Sequence, residues 1–161
     1  MKKKNLMKSL TALVLSVLMV LSLAACGAKP SDGGKDEDKD GYTVAIIKQM
    51  DHASLDEIAD AIAARLDAIA QEQNVSIRYT ITSGQGDQSV LKQLADQAVA
   101  DQVDAIIPIA TTAAQVSAVA AEDSRTPVVY AAISDPDTAK LTGIDYVTGT
   151  SDALNLSLIH I

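Results

Sequence analysis

Phenylalanine and tryptophan are absent from this chain, tyrosine occurs four times and cysteine once. Without large rings, the core must be assembled from aliphatic side chains. Any aromatic surface offered to a ligand must come from Tyr130, from another tyrosine or from outside the chain. A single cysteine excludes a disulfide within the chain. Positive charge is scarce too, since 13 Lys and Arg stand against 21 Asp and Glu, a net charge of −8. With no basic patch, that balance argues against nucleic acid as a partner. An enzyme needs a nucleophile with a base, or a metal cluster, and neither is visible. The histidines are His52 and His160 alone. No cofactor and no metal site are expected.

There is one long apolar run, from Ser9 to Ala25, preceded by Lys2, Lys3, Lys4 and Lys8. It falls short of the ~20 apolar residues that span a bilayer. A basic start, an apolar middle and the small residues Ala24 and Ala25 before Cys26 describe a secretory signal peptide over residues 1–25. The thiol of Cys26 sits where a bacterial lipoprotein is cut and lipidated. The expectation is export, followed by lipid anchoring at Cys26 on the extracytoplasmic face of the cell membrane. Once the four leader lysines are gone, 9 of the 13 basic residues remain against 21 acidic ones, so the mature charge is −12.

Residues 26–41 are expected to form the lipidated cysteine and a disordered linker. Positions 27–41 hold Lys, Asp, Gly and Ser with no branched apolar side chain, and cannot bury enough surface to offset the entropy of ordering. A flexible chain of that length spans about 20 Å root-mean-square. The acidic cluster Asp36 to Asp40 lacks the spacing of an EF-hand.

From Tyr42 the composition changes. Thr43 to Ile47 is a short continuous apolar run, as in a strand buried on both faces. Ser54 with Glu57 reads as a capping box, followed by Leu55, Ile58, Ala59, Ile62, Leu66 and Ile69 at helical spacing. Ser76 to Thr82 alternates, placing Ile77, Tyr79 and Ile81 on one side of a second strand. Leu91, Leu94, Ala95, Ala98 and Val99 mark a second helix, and residues 105–110 a third buried strand. Pro108 cannot donate to a ladder and predicts looser pairing near that end. Thr112 to Ala121 predicts a third helix, opened by a capping box of Thr112 and Gln115. Pro127 to Ile133 predicts a fourth strand, and Gly143 to Val147 a fifth. This alternation predicts an α/β fold, a doubly wound parallel sheet forming one Rossmann-like lobe over residues 42–155.

Ligands of such sheets bind beyond the carboxyl ends of the strands, where strand order reverses. With the commonest five-strand order the reversal lies between strands one and three. The loops there are 48–53 and 111–114, flanked by 83–88 and 134–137, all polar. The amino end of helix three offers backbone N–H groups and the hydroxyls of Thr111 and Thr112 to a carboxylate. Asp135 could face an ammonium group, and Gln49 or His52 could fix orientation. Each has a structural reading as well: Gly84 and Gly86 shape a turn, Asp87 caps helix two, Gln115 completes a capping box and His52 lies in solvent. The set suits recognition of a zwitterionic amino acid rather than turnover.

Ala45 to His52 with Leu55-Asp56, Gly86 to Ser89, Ala110 to Gln115, and Ser134-Asp135-Pro136 occur in that order. Together they resemble the tryptophan/tyrosine-type substrate-binding lipoproteins of ABC importers. The resemblance implies a type I periplasmic-binding fold, in which two α/β lobes close on an amino acid or related small ligand, often aromatic. It also implies partners, a permease and a cytoplasmic ATPase subunit. Gln49, His52, Gly86, Asp87, Thr111, Thr112, Gln115, Ser134 and Asp135 stand at the family's cleft-lining positions. Thr112 departs from the pattern, where proline is more usual. The alternatives are a sensory receptor of the same fold that signals to a membrane partner, and an exported α/β enzyme.

The chain is shorter than such receptors, so it is expected to be the N-terminal lobe alone, with millimolar affinity at best. Leu156 to Ile161 match what a common transposase sequencing adaptor encodes. This tail is expected to be non-native, with the genuine reading frame continuing beyond Asn155.

Overall fold

The structure, a computed structural model, describes residues 41–152. The expected leader, Cys26, nearly all of the linker and the tail at 156–161 lie outside the described residues. The last linker position is an exception: Gly41 begins the first strand and pairs with Ser76.

In chain order the elements are β1 (Gly41–Lys48), α1 (Ala53–Gln73), β2 (Ser76–Ser83), α2 (Gln88–Ala100), β3 (Ala105–Ile109), α3 (Thr111–Ala120), β4 (Val128–Ile133) and β5 (Val147–Ser151). All pairings are parallel, in the order β2-β1-β3-β4-β5. The expected doubly wound α/β sheet is therefore present, and its order reverses between β1 and β3. Right-handed crossovers running in opposite directions from that point put α1 on one face and α2 with α3 on the other.

The side chains of β1 show the consequence. Val44 and Ile46 pack with Ile109 under Ala59, Leu55, Ile58, Ile62 and Leu66 of α1. Ala45 and Ile47 point to the other face and join Ile106 and Val128 beneath Leu91, Ala95 and Ala98 of α2 and Ala113 of α3. Successive strand residues face opposite ways, so burial on both faces requires the unbroken apolar run seen here. A third cluster joins Ala114 and Ala118 of α3 to Tyr130, Ile133, Ala139 and Leu141. α1 stops at Asn74, whose left-handed conformation (φ 52°) lets Val75 N–H reach back to Ala70 O at 3.0 Å.

Several expectations need correction. His52 caps α1 in place of Ser54: its backbone is extended and its Nδ1 accepts from Ser54 N at 3.3 Å. α3 starts at Thr111, so Thr112 lies inside it and cannot form a capping box with Gln115. The residue at the cap position is Ala110, which has no side-chain acceptor. The expected side of β2 stands, with Ile77 and Tyr79 packed under α1 and Ile81 41% exposed. The fifth strand runs from Val147 to Ser151 rather than over 143–147. Gly143 takes a positive φ and Val147 N–H closes a turn on Ile144 O, so the chain is still turning there.

The effect of Pro108 is one-sided. Toward β1 the register continues unbroken through Ile47↔Pro108 and Lys48↔Ile109. Toward β4, Ile106 N donates to Pro127 O at 2.9 Å and Ala110 N to Ala131 O at 3.0 Å. The donor between them would be residue 108, where proline has none.

Candidate functional site

The carboxyl ends of the first four strands deliver Lys48, Ser83, Ile109 and Ile133 to one edge. Backbone hydrogen bonds join the loops that follow. Gly84 N donates to Lys48 O at 2.9 Å and Gln49 N to Ile109 O at 3.2 Å. Gly86 N donates to Gln49 O at 2.9 Å. The Gln49 side chain adds a further link, its Oε1 accepting from Thr112 N at 3.1 Å. Three loops are thus fastened to one residue, which brings Gln49, Gly86, Asp87, Thr111 and Thr112 together.

The β2–α2 loop is shaped by two glycines for different reasons. Gln85 and Gly86 have consecutive positive φ values (53° and 77°), closed by Asp87 N–H to Gly84 O at 2.9 Å, the pattern of a primed turn. Gly84 lies against the α2 core residue Leu91, so closely that a Cβ would stand 2.3 Å from its Cδ2. Asp87 then caps α2, accepting from Ser89 N at 2.6 Å and Val90 N at 3.4 Å.

The fourth loop begins beyond a bulge in β4, where Ala132 has φ 57° and the register to β5 shifts. Ser134 and Asp135 are exposed. The Asp135 carboxylate accepts from Thr138 N at 3.0 Å and Thr138 Oγ1 at 2.6 Å, which folds residues 135–138 into a turn. Gln115 lies on the exposed flank of α3 with Nε2 donating to Ala139 O at 3.1 Å. Ala139 N–H in turn donates to Asp135 O, so Gln115 meets the turn that follows β4. It borders two concavities of about 510 and 540 Å³ that flank α3 around Val119. Neither concavity includes Gln49, His52, Thr111, Thr112, Ser134 or Asp135. On the strand-end edge His52, Ser134 and Asp135 are exposed and Gln49, Thr111 and Thr112 half-buried, which makes that edge a shelf.

Sequence reasoning passed over Lys48 as a site residue. Its ammonium is held by Asp56 and, at 3.1 Å, by Asp51, with the lysine side chain only 12% exposed. The hydrogen bond to Asp56, then that to Asp51, raises the Lys48 pKa above the ordinary lysine value. The same contact, followed by one from Ser83, lowers that of Asp51. A lysine directly after four buried residues, with two aspartates in the next eight positions, was the available signal. The shelf therefore holds Asp51, Asp56, Asp87 and Asp135 against one cation already engaged by two carboxylates. Among the described residues, no three His, Cys, Asp or Glu side chains are grouped to hold a metal ion, and no helix is long and apolar enough to cross a membrane.

The caps carry a pH dependence. Hydrogen bonds from Ser89 and then Val90 hold the Asp87 carboxyl below the usual range, and Thr138 does the same for Asp135. A depressed folded pKa contributes stability that is present above the unfolded value and lost as pH falls through the folded one. Asp87→Asn keeps a capping oxygen but cannot ionise. Unfolding free energy measured from neutral to acid pH should fall less steeply in this variant than in the native chain. Identical slopes would mean that Asp87 is not a source of acid lability.

A parallel lobe with its polar loops gathered at the switch-point edge defines the ligand-binding class of doubly wound folds. The chain belongs to the ABC transporter substrate binding protein family, whose model matches residues 43–158. One similar solved structure is the ABC domain in complex with L-Trp from Streptococcus pneumonia, with 33% identity and TM-score 0.61, covering 70% of this chain and 39% of that one. Another is a ligand-free, open substrate binding protein with adhesive properties from Clostridium difficile, with 25% identity and TM-score 0.64, covering 73% and 42%. A third is a conserved domain protein from Vibrio cholerae, with 26% identity and TM-score 0.64, covering 73% and 41%. The chain thus spans about two fifths of the length of these relatives. No curated protein matches the sequence.

Proposed function

We propose that this chain is the N-terminal lobe of a lipid-anchored, extracytoplasmic solute receptor that serves an ABC importer, with an amino acid, aromatic or related to one, as its ligand. The observation that carries this reading is the fastening of the loops after β1, β2 and β3 at the reversal point of a sheet in a member of this family. Thr111 and Thr112 offer hydroxyls with no partner among the described residues, beside the amino end of α3, where a ligand carboxylate is electrostatically favoured. Ser134 and the acidic groups of the shelf suit the ammonium end of the same ligand. The permease and ATPase are the partners implied by the family, and Cys26 supplies the attachment to the membrane.

L-Tryptophan, the ligand of the streptococcal relative, is the first probe. Titrated into the 161-residue chain and followed by amide NMR, it should shift Gly86, Thr111, Thr112, Ser134 and Asp135 with millimolar affinity. An open shelf buries little of a ligand, which keeps the affinity low. Shifts confined to the outer face of α1, or none at millimolar tryptophan and tyrosine, would remove the amino-acid reading.

A further inference from the structure

We infer that Gln49 is a positioning residue: it supplies the N-cap of α3 from another loop and thereby sets the geometry of the shelf. The inference rests on the proposed binding role only in calling that shelf a binding edge. A helix normally obtains its cap from the residue just before it, whose side-chain oxygen accepts from the second or third N–H. At that position α3 has Ala110, a methyl side chain with φ 78°, and no side-chain cap bond. Thr112 is the second residue of α3, and its N–H is the donor that such an oxygen would satisfy. It is satisfied instead by Gln49 Oε1 at 3.1 Å, across a sequence separation of 63 residues.

Nothing about this placement is left to a loose side chain. Both Gln49 backbone groups are engaged, N–H with Ile109 O and C=O with Gly86 N–H. The preceding residue, Lys48, is clamped by Asp51 and Asp56 from the far end of the same loop and the first turn of α1. The β1–α1 loop is thus fixed on both sides of the residue whose carboxamide reaches α3. The arrangement couples the start of α3 to the ends of β1 and β2, so Thr111 and Thr112 hold their positions relative to Gly86 and Asp87.

Amide hydrogen exchange on the 161-residue chain, without ligand, tests the assignment whether or not any solute binds. Gln49→Ala and the similarly sized Gln49→Met both remove the acceptor, and each should lower protection at Thr112 by roughly fivefold or more. Protection at Ile106 in the core should stay unchanged. Gln49→Glu restores an oxygen at the same reach, and its charge is favoured at a helix amino end, so Thr112 protection should return to the native level or above. The assignment is overturned if Thr112 stays protected in both Ala and Met variants. It is equally overturned if Thr112 and Ile106 lose protection together, or if the Glu variant fails to restore it.

Discussion

Leu91→Ala is expected to destabilise the lobe by about 2–5 kcal/mol, the range for emptying a leucine site that cannot collapse. Leu91 is 1% exposed and lies in the cluster that joins α2 to β1, β3 and β4. Against a total stability of roughly 5–15 kcal/mol the loss is severe, and thermal melting should move down by ten degrees or so. The same site offers an internal control. Gly84→Ala would set a methyl 2.3 Å from Leu91 Cδ2 and 2.4 Å from its Cγ, and overpacking of that kind costs about 1–3 kcal/mol. In the Leu91→Ala background the two nearest obstructing atoms are gone, and only the backbone oxygen of Gln49, at 3.1 Å, still crowds the methyl. The double variant should therefore be less destabilised than the sum of the singles, by about 1 kcal/mol or more. Strict additivity in denaturant melts would show that Gly84 is required for another reason.

The second large effect concerns attachment. Cys26→Ser is expected to shift the protein from the membrane fraction to the soluble fraction after export, with loss of labelling by a fatty-acid precursor. Each buried methylene of an acyl chain contributes about 0.8 kcal/mol, and stable anchoring takes two such signals. Among the described residues no helix is long and apolar enough to replace them. The net charge of −12 expected once residues 1–25 are removed would be repelled by anionic headgroups rather than held by them. Retention of Cys26→Ser in the membrane fraction, with residues 1–25 still attached, would make the uncleaved apolar segment the anchor.

Burial was the part of this fold most legible in the sequence. The run Val44 to Ile47 requires cover on two sides, and the structure supplies it through separate clusters on the two faces. Helices were placed well by their apolar spacing, because Leu91, Ala95 and Ala98 can share a face in one conformation only. Helix ends were read less well. Ser54–Glu57 and Thr112–Gln115 both have the spacing of a capping box. Yet a histidine nitrogen and a glutamine from another loop take the two jobs. Local spacing cannot reveal a cap that arrives across 63 positions, because the fold creates that proximity. The clamp on Lys48 differs, because its aspartates lie only three and eight positions on and the signal is visible once the three residues are read together. The gathering of Gly86, Asp87, Thr111 and Thr112 followed from the strand order. Gln115 entered the group by motif, and its side chain reaches Ala139, in the turn that Asp135 opens.

The proline in β3 gives the sheet a seam. Between β3 and β4 the regular register is carried by Ile106↔Val128 and Ile109↔Ala131, with no donor from residue 108 between them. β1 and β2, by contrast, are paired in unbroken step from Gly41↔Ser76 to Lys48↔Ser83. When the native state opens in parts, the weakest cooperative boundary releases first. That boundary is the β3–β4 ladder, one donor short beside the loop that carries Ser134 and Asp135, and there the burial of Val128 and Ile133 against the helices must hold what the ladder does not.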